Sequence, residues 1–141
     1  MYSLEELKKF FENDTYATNL LGAEIIDANN DYAKCMFKIT SNHKNAKDIV
    51  MGGAIFSLAD FTFAVATNQH KDYYTLSTNA SINYLRPGSG IYLYAEAIKN
   101  KDGKKFIRRT TKHKRSFRKT ININERSRKK ILWSFFFWFL G

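Results

Sequence analysis

The sequence predicts an α+β domain in which one long apolar helix is wrapped by an antiparallel sheet. Residues 53–68 carry a single charge, Asp60, and are too long for a strand. The flanking segments are short and alternate apolar with polar residues, as half-buried strands do. Clusters of turn residues, Asn29-Asn30-Asp31 and Arg86-Pro87-Gly88, separate them.

Each element has a local cause. Ser3-Leu4-Glu5-Glu6 reads as a capping box, and Leu4, Leu7, Phe10 and Phe11 then form one helical stripe. Asn13-Asp14 breaks that helix. Residues 15–21 form a short second turn, ended by Gly22. Residues 23–28 and 32–40 read as two strands of a hairpin, with Cys35, Phe37 and Ile39 on one face. Residues 41–48 are a polar loop. Residues 53–68 form a helix apolar on most sides, which demands a wrapping sheet. Residues 73–85 read as a strand closed by Arg86-Pro87-Gly88, residues 91–98 as another, and Asn100-Lys101-Asp102-Gly103 as a hairpin turn. There is no internal repeat and no Pro/Gly linker, so residues 1–141 are expected to form one domain.

A single cysteine, Cys35, excludes an internal disulfide and fits a reducing compartment; its alternating strand context makes it a small buried hydrophobe. Residues 1–13 are charged and amphipathic, without the apolar core of a secretory signal. No stretch approaches the ~20 apolar residues of a membrane span. A cytoplasmic protein is expected. The net charge of +10 is not evenly spread. Residues 1–98 hold 8 Lys/Arg against 11 Asp/Glu, a net of −3, whereas residues 99–130 hold 15 against 2, a net of +13.

The chemistry concentrates in Gly52-Gly53-Ala54-Ile55-Phe56-Ser57-Leu58-Ala59-Asp60. A buried helix tolerates a lone carboxylate poorly unless the charge is paired or used. Apolar neighbours should raise the pKa of Asp60 and make it a better general base. Glycines at a helix start bare backbone N–H groups to developing negative charge. Gly52 and Asp60 are eight residues apart, about 12 Å along a helix, too far to serve one reacting centre. A two-fold homodimer, or a dimer of dimers, solves this: one subunit supplies the oxyanion donor and the other supplies Asp60. Ser57 lacks the Gly-x-Ser-x-Gly elbow, the diglycine lacks the Lys-Ser/Thr of a phosphate loop, and no Cys/His spacing suggests a metal. His43, His70 and His113 are scattered among polar residues and read as surface histidines.

Residues 12–103 resemble the PaaI-like acyl-CoA thioesterases, of the hot-dog fold. The match lies in Glu12-Asn13-Asp14, in Asn45 six residues before Met51, in Gly52 through Asp60, and in Ile82-Asn83-Tyr84-Leu85-Arg86-Pro87-Gly88. The resemblance implies hydrolysis of an acyl-CoA thioester at a site between subunits. It gives Asp60 the role of base or nucleophile and Gly52 that of backbone oxyanion donor. Asn45 becomes a polar group near the scissile bond, and Ser77 a hydroxyl that helps place water. Met51 and Gly53 flank the substrate. Arg86, Pro87 and Gly88 lie where the family contacts the pantetheine or nucleotide end of CoA. No metal or redox cofactor is implied; coenzyme A is part of the substrate. One position departs: the family has His-Gly-Gly and this chain has Met51, which cannot titrate or donate a strong hydrogen bond. A non-catalytic acyl-CoA-binding protein, or an inactive remnant of the fold, is the alternative reading.

Residues 104–141 are atypical. Six of the seven arginines lie in residues 108–128, and the chain closes on an uncharged aromatic stretch. That break in usage is what a reading frame lost after about Gly103 in an A-rich gene would leave. Three other readings compete. Residues 99–130 could bind nucleic acid electrostatically, without any recognised motif. The basic run with its aromatic end could dock on an anionic membrane without spanning it. Residues 99–105 could hold CoA phosphates.

Overall fold

The computed structural model describes residues 1–29, 32–71, 75–77, 80–103, 116–125 and 130–134, with the backbone alone for residues 99–103, 116–125 and 130–134. Helix α1 (Leu4–Phe11) starts at the predicted capping box: the Glu6 N–H donates to Ser3 Oγ at 3.2 Å and the Ser3 N–H to Glu6 Oε2 at 2.8 Å. Leu7 and Phe11 turn into the core, while Phe10 remains largely exposed and stacks on Tyr2. A π-type turn (Tyr16–Leu20) follows and ends at Gly22, whose φ of +69° is a left-handed conformation that suits a residue without Cβ.

Strands β1 (Glu24–Asn29), β2 (Tyr32–Lys38), β3 (Tyr92–Gly103), β4 (Ser116–Glu125) and β5 (Lys130–Ser134) form one antiparallel sheet in sequence order. Of the expected first hairpin turn, Asn30 and Asp31 lie outside the described residues. The pairs Ala33↔Ala97, Cys35↔Ala95 and Phe37↔Leu93 put one buried row across β2 and β3. Four of these six residues are Ala or Cys, and the small row lets helix α2 (Gly52–Thr67) pack closely against both strands. Leu58, Ala59, Phe61, Phe63, Val65 and Ala66 are buried too, so the helix is covered on most sides, as its composition requires. Its core threonines satisfy themselves: Thr62 and Thr67 donate to the carbonyls of Leu58 and Phe63 at 2.6 and 2.8 Å.

Two sequence expectations need correction. Residues 75–77 and 80–85, the described part of the expected strand 73–85, take no place in the ladder. A strand is defined by its ladder bonds, which an alternating pattern does not by itself supply, and among the described residues this stretch makes none. Asn100-Lys101-Asp102-Gly103 is not a hairpin turn. β3 continues through it to pair Gly103 with Ser116, and a register shift between Lys99 and Lys101 absorbs the extra residue as a bulge. Of the other features read in the tail, residues 104–115 and 126–129 of the basic run and the closing aromatic stretch from residue 135 on lie outside the described residues.

Candidate active site

The loop before α2 is built by Asn45. Its Oδ1 accepts from the N–H groups of Lys47 and Ile49 at 2.9 and 3.3 Å, and a bridge between Lys44 and Val50 closes the base. Asp48 takes a left-handed φ of 59° within this turn. The chain then returns under His43, whose carbonyl accepts from the Met51 N–H at 2.8 Å. His43 is the third correction, because it is 8% exposed rather than a surface residue. Its Nδ1 accepts from the Thr40 N–H at 3.0 Å, so Nε2 carries the proton and donates to the Leu21 carbonyl at 3.0 Å. The ring packs 4.4 Å from that of Phe37. His70 is half-buried, and His113 lies outside the described residues.

Met51 caps α2 with extended backbone (φ −63°, ψ 136°) and gives no side-chain hydrogen bond to the helix. Its carbonyl accepts from Ala54 and Ile55 at 3.0 and 3.2 Å and so begins the first turn. The Gly52 and Gly53 N–H groups precede the first intrahelical donors, so the helix itself offers them no acceptor. The positive end of the helix dipole adds to this, and the diglycine start can receive an anion.

Tyr84 closes over this start. Its Oη donates to the Gly52 carbonyl at 2.9 Å, and a Cβ on Gly52 would lie 3.1 Å from the ring. Gly88 packs on the same end: a Cβ there would meet Val50 at 3.1 Å and Ile55 at 3.4 Å. The Arg86-Pro87-Gly88 turn therefore lies against the beginning of α2, with Arg86 and Pro87 exposed.

Asp60 lies on the helix stripe that the sheet leaves open, with Gly53, Phe56, Ser57 and Ala64. The side chain reaches solvent on one side, yet enough of the chain surrounds it to weaken its hydration. Burial raises its pKa, and the charge of Asp14 raises it further, the direction the sequence predicts. One turn back, Ser57 Oγ donates to the Gly53 carbonyl at 2.9 Å and contacts the Tyr16 hydroxyl at 3.2 Å.

The predicted site residues thus fall into three groups. Met51, Gly52, Gly53 and Gly88 meet at the start of α2, and Asp60 lies two turns along the same helix. Asn45 spends its Oδ1 on its own loop, and Ser77 is exposed on the 75–77 segment without a hydrogen bond among the described residues. A cavity of about 350 Å³ opens elsewhere, between α1, β1 and Phe61, and none of the predicted site residues lines it. Sequence reasoning gave no role to Tyr84, Tyr16 or Asp14, although Tyr84 and Asp14 stand inside the quoted motifs.

No protein-family model matches the chain. Among characterised proteins it is similar to a putative esterase of Archaeoglobus fulgidus, 36% identical over 95 residues, which are 67% of this chain and 61% of that protein. It is also similar to the acyl-coenzyme A thioesterase PaaI of Escherichia coli K12, 35% identical over 95 residues, 67% of this chain and 66% of the relative. The matched stretch therefore spans less than two thirds of either relative. Among solved structures, the E. coli PaaI protein from the phenylacetic acid degradation operon superposes with a TM-score of 0.72 at 27% identity, covering 90% of this chain and 88% of that one. Helix-in-sheet architecture, diglycine start and these relatives agree, and the chain belongs to the PaaI-like thioesterases of the hot-dog fold.

Proposed function

We propose that this protein hydrolyses acyl-CoA thioesters to the free acid and CoA, as a homodimer or dimer of dimers in the cytoplasm. The observation that carries the proposal is the pairing of an uncapped diglycine helix start with a carboxylate of raised pKa on the open stripe of the same helix. The Asp60 carboxylate takes a proton from water, and the resulting hydroxide attacks the thioester carbon. Negative charge collects on the carbonyl oxygen, where the Gly52 N–H receives it. Collapse of the tetrahedral intermediate breaks the C–S bond and releases CoA as thiol, with the proton returned from Asp60. Direct attack by Asp60 would give an acyl anhydride that water then opens, to the same products.

Because Gly52 and Asp60 of one helix stand about 12 Å apart, each site takes one group from either subunit. Asn45 and Ser77 are assigned as positioning groups. Met51, Gly53, Arg86, Pro87 and Gly88 are assigned to the substrate and its CoA portion. Backbone oxyanion stabilisation does not need the histidine that Met51 replaces.

The test is thiol release from a panel of aliphatic and aryl acyl-CoAs, with the Asp60→Asn variant beside the wild type. Turnover that vanishes in the variant while acyl-CoA still binds supports the enzyme. Binding without turnover in both proteins would replace it with a non-catalytic acyl-CoA-binding module.

A further inference from the structure

We propose that Tyr84, together with the Tyr16–Ser57 pair, forms a hydroxyl clamp that holds the diglycine start of α2 in its reactive geometry. The inference rests on the thioesterase reading and names positioning residues for that site. Two adjacent glycines have the widest backbone freedom of any dipeptide, and at a helix start their N–H groups have no intrahelical acceptor to hold them. Here three successive carbonyls are each fixed from outside their own peptide. Met51 O accepts from Ala54 and Ile55 at 3.0 and 3.2 Å. Gly52 O accepts from Tyr84 Oη at 2.9 Å, and Gly53 O accepts from Ser57 Oγ at 2.9 Å.

A carbonyl and the N–H of the next residue share one rigid plane. The helix's own bonds to Met51 O therefore set the Gly52 N–H direction, while Tyr84 and Ser57 set the planes that carry the Gly53 and Ala54 N–H groups and so hold the first turn on which Gly52 sits. Ser57 has one hydroxyl proton and gives it to Gly53, so Tyr16 Oη is the donor in its 3.2 Å contact with Ser57. That orders a relay from Tyr16 through Ser57 to Gly53. Tyr84 supplies shape as well as a proton: its ring atoms lie 3.1 to 3.4 Å from where a Gly52 Cβ would stand. Its phenol pKa is raised by burial, so it stays a donor across the working pH range.

The experiment combines kinetics with carbonyl resonances of the full-length protein. Gly52-Gly53 is the only Gly-Gly pair in the sequence, so glycine labelled with ¹³C at the carbonyl and with ¹⁵N isolates the Gly52 carbonyl. In Tyr84→Phe that resonance moves upfield while those of the other six glycines stay. On a thioester that the wild type hydrolyses, Tyr84→Phe and Ser57→Ala each lower kcat about tenfold, the scale of one lost hydrogen bond, with KM within about twofold. Their pH midpoints match the wild type's. Ser57→Thr restores kcat, because threonines in this same helix already bond back to the carbonyl four residues earlier. An unmoved Gly52 resonance in Tyr84→Phe overturns the clamp. A moved resonance with unchanged kcat reduces Tyr84 to a structural contact and overturns the positioning role. A wild type that binds acyl-CoA without turnover defeats the thioesterase reading instead, and the resonance shift distinguishes that result from failure of the contact.

Discussion

Asp14, which caps the turn after α1, lies near enough to Asp60 on α2 for its charge to raise the Asp60 pKa beyond the larger effect of burial. In its proposed role of general base Asp60 must be deprotonated, so kcat/KM should climb with pH through its pKa, at a midpoint above the ordinary aspartate value of 3.8. Asp14→Asn removes the charge and keeps an oxygen to accept from the Ala17 N–H, as Asp14 does at 3.2 Å. The rising limb of its pH–rate profile should move to lower pH. A limb that stays in place would show that Asp14 does not act on Asp60.

The same raised pKa predicts that the site costs stability. Asp60 holds its proton more tightly in the folded than in the unfolded chain. The folded state therefore binds more protons between the two pKa values, and stability falls as pH rises through that window. Above the folded value the ionised group has lost the whole increment. Asp60→Asn should then melt at a higher temperature than the wild type at pH 7 and should lose that advantage below the unfolded value. The same variant should lose about 10²-fold or more in kcat. Thermal unfolding at pH 7 and pH 3.5 checks the first part, and an equal difference at both would exclude ionisation as its cause.

Sequence alone reaches α2 and Asp60 for one reason: a helix with a single charge must be wrapped, and its charge must be explained. The α1 cap is equally legible, since a capping box is local. Strand partners are not. Alternation in residues 73–85 says that one face is apolar, not which neighbour completes a ladder. Asn100 to Gly103 has turn chemistry, yet pairing with β4 outweighs it. Tyr84 and Tyr16 escaped because their bonds span 32 and 41 residues, and no local pattern announces a hydroxyl aimed at a distant backbone oxygen or side chain. His43 escaped for the same reason, as its Nε2 partner Leu21 is 22 residues away.

His43 should be a stability residue. His43→Ala removes the ring's hydrogen bonds to Thr40 and Leu21, strands the Thr40 N–H and Leu21 carbonyl, and empties the space beside Phe37. The expected cost is about 2–4 kcal/mol in urea unfolding. Since the His43 carbonyl also holds the Met51 N–H, milder variants such as His43→Gln should raise KM or lower kcat before they unfold the protein. A His43→Ala protein as stable as the wild type would disprove the structural role.

Cys35 gives a clean report on core integrity. It is fully buried beneath α2, and burial pushes its thiol pKa up to about 12, with the neighbouring Thr62 hydroxyl acting the other way. The thiolate is the reactive form, and at pH 8 almost none exists in the folded chain. The native protein should therefore resist an aromatic disulfide reagent, while the urea-unfolded chain takes up one equivalent, since it has one cysteine. Labelling in dilute urea then follows opening of the β2–α2 interface. His43→Ala, which loosens the same side of β2 through Phe37, should speed it more than Tyr84→Phe, which acts at the start of the helix. Rapid labelling of the undisturbed native protein would contradict the packing of Ala33, Cys35 and Phe37 against α2.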